Sequence, residues 1–386
     1  MPPGARAMRE SRAVAIQAVI ACIGCAVVLA AIAANQAWFD AHFLPSFWYS
    51  REEMIETEQH ARLAVAVAGI TIVLFARRRV ARAIAKEPLY LLTTSMAIAL
   101  AFGATELFLR TRHINAAAEV EPRFEPRRHL DARLGWLFDP ARTGYDPHLG
   151  ERYEYAFDRN GYRVPSPGAT VDFEQPAIVF DGESMMFGEK LDWDDTIPAQ
   201  TSALLGIPAA NISVSGFATD QQYLRLAAEL PRFRQPVAVV TLFAPAIFDR
   251  NLDDDRPHLG PGLVWHPAAR QWRLTMLARR LIGYRSTAAI EDGITTTRQA
   301  LAATVALARA RGAVPLIVVP NFGDEEPRLR ELRRRILDDA HLPYVFVRLN
   351  PDDRIENDGH PDGDGARAIA EAIARTLRTS LNGARR

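Results

Sequence analysis

The chain has 386 residues, enough for one sizeable domain and something more. Its 46 basic and 46 acidic residues cancel, and no basic stripe interleaved with aromatics occurs. A nucleic-acid partner is therefore not expected. Two cysteines exclude a disulfide framework.

The first element is Ala13 to Ala34, 22 residues without a charge. At about 1.5 Å per residue such a run crosses a hydrocarbon layer of about 30 Å. Arg6, Arg9 and Arg12 precede it, as in a secretory signal, but it exceeds the usual apolar core of a signal peptide, about 7–15 residues. Cys22 and Cys25 lie inside this run as an isolated C-x-x-C pair. Redox chemistry would want a βαβ pattern nearby and a zinc site a second ligand pair, so they read as small membrane-buried residues.

A second run, Ala61 to Ala76, is short for a span and is bounded by Arg62 and by Arg77, Arg78 and Arg79. Snorkelling arginines can extend it, and a buried or interfacial helix is the other reading. A third run, Leu89 to Leu109, is long enough, with Glu106 near its end. Residues 1–112 are thus expected to be a membrane anchor with helices at 13–34, 61–76 and 89–109. The second connection holds Arg77, Arg78, Arg79, Arg82 and Lys86, whereas the first holds Asp40, Glu52, Glu53, Glu56 and Glu58. By the positive-inside tendency three spans keep the N-terminus inside and send the remainder to the far side, the periplasm in a bacterium. Without the middle span that side reverses.

Residues 113–172 are rich in Pro, Arg and aromatics without helical period, and read as a lead-in with one or two strands. Residues 173–386 then become regular. Apolar runs at Ala177–Phe180, Ala210–Val214, Val237–Phe243, Val314–Val319 and Pro343–Val347 alternate with helical stretches at 194–205, 219–230, 295–311, 326–339 and 363–377. That alternation predicts an α/β fold, a doubly wound parallel sheet covered by helices on both faces. Residues 249–292 are too long for an ordinary connection and are either a cap over the site or a surface excursion.

In such sheets ligands bind beyond the carboxyl ends of the strands. Ser184 follows the first strand directly in Asp181-Gly182-Glu183-Ser184. His360 follows the last strand in Asn357-Asp358-Gly359-His360-Pro361, just before the final helix. A serine needs an adjacent base to become a nucleophile, and an imidazole needs a carboxylate to orient it. Either residue alone has an ordinary explanation, as helix cap or loop histidine. Their joint placement, with Asp358 two residues before His360, points to Ser184 as nucleophile, His360 as base and Asp358 as acid. The aspartates around His360 (Asp352, Asp353, Asp358, Asp362 and Asp364) lack the spacing of a calcium loop, so neither metal nor cofactor is expected.

These motifs resemble those of the SGNH/GDSL hydrolases. GESMMFGEKLDWDDTIPAQTSALLG is similar to their first block, NISVSGFATDQQYLRL to the second and NDGHPDGDGARAIAEAIA to the last, so the likeness covers about residues 130 to 380. It implies a flavodoxin-like sheet, an acyl-enzyme on Ser184, and an oxyanion hole using the N–H groups of Ser184 and Gly216. Three departures stand out. Glu183 replaces the usual Asp; Asn357 occupies the acid's usual place three residues before the histidine; and no Asn stands at Ala244 or Pro245, where the third block supplies an oxyanion donor. Asn251 is the candidate substitute. Losing one such donor costs roughly 10²–10³ in rate. The function implied is ester hydrolysis or O-acyl transfer on an acylated cell-envelope polysaccharide or similar ester, at a lipid bilayer. The alternative is a weakly active or inactive envelope protein of the same fold that binds a glycan or a partner protein.

Overall fold

A computed structural model describes residues 3–45, 49–87, 89–112, 120 and 125–383. The chain divides into two compact units. The first comprises residues 1–44, 49–112 and 272–285. Its helices are α1 (Pro3–Ala33), α2 (Gln36–His42), α3 (Arg51–Thr71), α4 (Arg77–Lys86) and α5 (Leu89–Arg110), with a π-helical turn, Ile72–Ala76, joining α3 to α4.

Among the described residues two helices are long and apolar enough to cross a membrane, Glu10–Ala33 and Leu89–Arg110. The middle run, expected as a third span at 61–76, lies in α3 and the π turn and is not one of them. Glycine explains the crossing of α1 and α3: a Cβ on Gly24 would meet Gly69 O at 2.9 Å, and one on Gly69 would meet Gly24 O at 2.8 Å. Small residues let backbones approach this closely. Cys22 and Cys25 flank that contact as free, exposed thiols.

The start of α3 is set by Ser50 and Glu53, which form a reciprocal capping box. Polar groups on this side are paired: Gln36 donates to the buried Glu58 at 2.7 Å, and Arg51 donates to Asp40 at 2.6 Å. Glu106, also buried, accepts from Arg110 at 2.9 Å and from the Leu274 N–H at 3.0 Å. Of residues 249–292, residues 272–285 group with the helical unit, while 249–271 and 286–292 belong to the second unit.

The second unit begins with a hairpin, β1 (Arg128–Asp131) and β2 (Gly135–Phe138), followed by β3 (Thr143–His148), β4 (Glu151–Phe157) and β5 (Arg163–Val164). The lead-in thus holds five strands rather than one or two. The alternating part follows: β6 (Ala177–Asp181), α6 (Ser184–Phe187), α7 (Ile197–Leu205), β7 (Ala209–Asn211), α8 (Thr219–Glu229), β8 (Pro236–Leu242), a small hairpin of β9 (His258–Gly260) and β10 (Val264–His266), α9 (Arg273–Ile282, the helix in the first unit), α10 (Thr287–Ala310), β11 (Val314–Phe322), α11 (Pro327–Arg333), β12 (Tyr344–Leu349) and α12 (Gly363–Gly383).

Eight strands form one sheet in the order β12-β11-β8-β6-β7-β5-β4-β3. The first five are mutually parallel, and β5, β4 and β3 extend the sheet antiparallel from the β7 edge. The doubly wound parallel sheet is present, made mixed by strands from the lead-in.

Along β6 the side chains alternate between two cores. Ile178 and Phe180 pack with Val240, Leu242, Val318 and Ile373 on one face, whereas Ala177 and Val179 pack with Val239, Leu226 and Phe233 on the other. Burying each such large side chain stabilises the fold by about 1.5–3 kcal/mol. Because both faces of β6 are sealed, the position and direction of its carboxyl end are fixed, and the next residues inherit that rigidity.

Candidate active site

After Asp181 the chain must turn away from the sheet within three residues. Gly182 permits it, since a Cβ there would stand 2.4 Å from Met186 Cβ and 3.4 Å from Leu242 Cβ. Glu183 is extended (φ −105°, ψ −153°) and caps α6, its carboxylate accepting from the Met185 N–H at 3.3 Å. Ser184 is the first residue of α6 and is buried.

The loop after Ser184 is secured from the lead-in. Arg163, wholly buried on β5, donates to the carbonyls of Phe187 at 2.8 Å, Gly188 at 2.5 Å and Leu191 at 2.5 Å, and lies over the rings of Tyr155 and Phe187. Burial pulls its guanidinium down to about 10, still charged at neutral pH. Gly188 (φ +84°) needs to be glycine, because a Cβ would stand 2.7 Å from Arg163 Nη1 and 2.5 Å from a Thr196 methyl.

The second loop, after β7, is anchored to the first: the Val214 N–H donates to Gly182 O at 3.1 Å. Gly216 then turns with φ +83°. Among the described residues the N–H groups of Ser184 and Gly216 donate to no other protein group, as donors reserved for an oxyanion would be.

The third loop, Asn350 to Asp362, folds on itself through Ile355 N–H to His360 O at 3.0 Å and Asp358 N–H to Ile355 O at 2.9 Å. It carries His360 to the hydroxyl, with Nε2 at 2.7 Å from Ser184 Oγ. The opposite ring nitrogen, Nδ1, donates to Asp358 Oδ1. Asn357 adopts the left-handed region (φ +57°) and is exposed, so the residue one place nearer supplies the carboxylate. Ser184, His360 and Asp358 are thus brought together.

Asn251 is placed differently. Its Oδ1 accepts the Thr219 N–H at 2.8 Å, satisfying the start of α8. It also lines, with Ala244 and Phe217, a cavity of about 10 Å³, room for one water.

Four groups given no role from the sequence complete the site. Lys190 pairs through Nζ with the second Asp358 oxygen, while its own N–H donates to Tyr155 Oη at 2.8 Å. Glu189 accepts from Ser215 Oγ. Glu183 Oε2 accepts from Ser184 Oγ at 2.5 Å. Arg250 Nη1 lies 3.8 Å from that same Glu183 oxygen. No motif marks Lys190 or Arg250; only the folded chain brings them here. A groove of about 570 Å³, lined by Lys190, Tyr153, His148 and Arg354, opens on the Asp358 side.

The charges act on one another. Burial lowers the His360 imidazole, but the Asp358 hydrogen bond and the charges of Glu189, Asp358 and Glu183 outweigh it and raise it above its ordinary 6.5. Burial would raise the Asp358 carboxyl, and the hydrogen bonds from His360 and Lys190 hold it well below the usual range. A base must be neutral, hence activity is expected to rise with pH through a value above 6.5. Removing one anionic neighbour in Glu183→Gln is expected to move that acid limb to lower pH in a kcat/KM profile; an unmoved limb would show that Glu183 does not act on His360.

Among the described residues no group of three or more His, Cys, Asp and Glu is arranged to hold a metal ion. No family model matches the chain, and no curated protein matches it. Solved structures do. A GDSL-like lipase from Bacteroides thetaiotaomicron is similar at 17% identity, covering 55% of this chain and 91% of its own, with a TM-score of 0.33. An acetyl xylan esterase from Butyrivibrio proteoclasticus is similar at 13% identity over 55% of this chain and 66% of its own, TM-score 0.34. A family two carbohydrate esterase from Cellvibrio japonicus is similar at 13% identity over 62% and 81%, TM-score 0.32. The structural neighbours are GDSL-type lipases and carbohydrate esterases, the family that the motifs around Ser184 and His360 resemble.

Proposed function

We propose that this chain is a serine-dependent esterase or O-acyl transferase held at a membrane by its apolar helices, with the second unit facing away from the cytoplasm and acting on an acylated envelope polysaccharide or similar ester. The observation that carries the catalytic part is the 2.7 Å contact between Ser184 Oγ and His360 Nε2, with Nδ1 directed at Asp358. Neutral His360 takes the Ser184 proton as Oγ attacks the ester carbonyl. The Ser184 and Gly216 N–H groups hold the oxyanion; His360 then protonates the departing alkoxide, leaving an acyl-enzyme. Water or a sugar hydroxyl, deprotonated by the same imidazole, resolves it. The orientation requires the run at 61–76 to cross as a third span, which puts both the N-terminus and the basic residues of α4 (Arg77, Arg78, Arg79, Arg82 and Lys86) on the cytoplasmic side, as the positive-inside tendency favours.

A membrane-impermeant fluorophosphonate probe tests both parts. Purified protein should be captured covalently at Ser184, and Ser184→Ala should not be. Silence from the intact protein would leave the non-catalytic binding reading, which the absence of the third-block Asn favours. Added to intact spheroplasts, the probe should reach the same residue; capture only after lysis would put the unit on the cytoplasmic side.

A further inference from the structure

The gap left by the third-block asparagine is bordered by an arginine. Strand β8 ends at Leu242, Ala244 is buried with nothing polar to offer, and the chain turns at Pro245 into the 3₁₀ stretch Pro245–Leu252. Arg250 and Asn251 lie near its end. Asn251 directs its oxygen away from the site onto Thr219 N–H. Arg250 turns toward it: Nη1 is 3.8 Å from Glu183 Oε2, and that oxygen is 2.5 Å from Ser184 Oγ. One carboxylate oxygen therefore separates the guanidinium from the nucleophile.

Two features set Arg250 apart from an ordinary rim arginine. Its Nη1 is closed off from solvent and makes no hydrogen bond, although the side chain as a whole is about a quarter exposed. A buried donor without an acceptor is costly, and it is retained where something else supplies the acceptor. Its backbone is also braced. The Arg250 carbonyl accepts from Arg256 Nη2 at 3.0 Å, and Arg256 is itself buried in a two-pronged pair with Asp220, at 2.8 and 3.0 Å. A donor carried on a braced turn is preorganised, which electrostatic stabilisation of a developing charge requires.

We propose that Arg250 donates from Nη1 to the oxyanion of the tetrahedral intermediate, in place of the missing asparagine; this rests on the esterase reading above. As the bond from Ser184 Oγ to the carbonyl carbon forms, the π pair of the carbonyl moves onto its oxygen, and Nη1–H accompanies the Ser184 and Gly216 N–H groups in holding it. The guanidinium keeps its proton throughout. When the intermediate collapses, the carbonyl re-forms, the alkoxide leaves with the proton held by His360, and the Nη1 contact weakens again. A charged donor also offsets the repulsion between the oxyanion and the Glu183 carboxylate, which a neutral asparagine would do less well.

The test measures kcat and KM on a neutral chromogenic acetyl ester with the full chain. Arg250→Ala is expected to lower kcat by about 10²–10³-fold, the cost of one oxyanion donor, with KM within about threefold of wild type. Free guanidinium ion should restore part of the loss. The defect should persist in a Glu183→Gln background, because direct donation does not depend on that carboxylate. An unchanged kcat in Arg250→Ala overturns the proposal; so does a loss confined to KM, and so does a defect that Glu183→Gln abolishes, which would make Arg250 only a counter-charge. If the alanine variant fails to fold, Arg250→Gln decides: it keeps neutral donors and should fall between wild type and the expected alanine value, and wild-type turnover there overturns the proposal. Fluorophosphonate capture at Ser184 separates the levels. Capture with normal Arg250→Ala turnover sinks this inference alone, whereas no capture in wild type removes the esterase reading and this proposal with it.

Discussion

His360→Ala is expected to lower kcat on an activated acetyl ester by up to about 10⁶-fold, with KM little changed, because nothing else on this face can take the Ser184 proton and return it to the leaving group. Glu183 is the closest competitor. It accepts from Ser184 Oγ at 2.5 Å and has Arg250 Nη1 at 3.8 Å, but in the mechanism proposed above it stays a carboxylate beside the oxyanion and delivers no proton to the departing alkoxide. A His360→Ala variant that keeps even a tenth of wild-type turnover would show that Glu183 or another group is the true base. The same variant carries a stability signature. A folded-state imidazole raised above its unfolded value contributes stability that is fully present below about pH 6.5 and is lost as pH rises through the folded value. Thermal stability of the wild type should therefore decline across the window in which its activity rises, and that pH-linked decline should be missing from His360→Ala.

Asp358→Asn should cost about 10⁴-fold in kcat while leaving the backbone in place. An amide presented to Nδ1 can donate, and this holds the proton on Nε2. In that tautomer the nitrogen facing Ser184 has no lone pair to receive the hydroxyl proton. Lys190 sharpens the case. Its Nζ pairs with the other Asp358 oxygen and its side chain is only 16% exposed, so the substitution also strands a largely buried ammonium. Lys190→Met, which removes the ammonium but keeps the carboxylate on His360, is expected to lose far less activity. Comparable losses in the two variants would mean that the ion pair, rather than the imidazole's tautomer, is what matters.

Much of this arrangement was legible in the sequence because it obeys local rules. Buried parallel strands are continuous apolar runs, and β6, β8 and β11 read as such. Ser184 and His360 were legible because each lies between a strand's carboxyl end and the next helix, in a motif with a glycine within two residues. The acid at Asp358 followed from adjacency to His360. What could not be read depends on contacts between distant segments. The strands of residues 128–164 carry little alternation, since β3 and β4 are half exposed and β5 is two residues long; they are strands because β7 offers an unpaired edge. Arg163 looks like a surface cation until three carbonyls of the nucleophile loop close around it. Glu183 was legible as a substitution for aspartate, but its extra methylene matters only once its carboxylate is found on the Ser184 hydroxyl. The run at 61–76 has no structural break at either end, because the chain continues there as one helical course from Arg51 to Lys86 through a π turn.

The 176 positions between hydroxyl and imidazole also order events at the ribosome. At roughly 5–20 residues per second, about nine to thirty-five seconds separate synthesis of the two. Throughout that interval Ser184 has been made but the imidazole that contacts its hydroxyl has not. On the mechanism proposed above, an incomplete product stalled before His360 would carry no base for Ser184 and would leave the esters around it untouched.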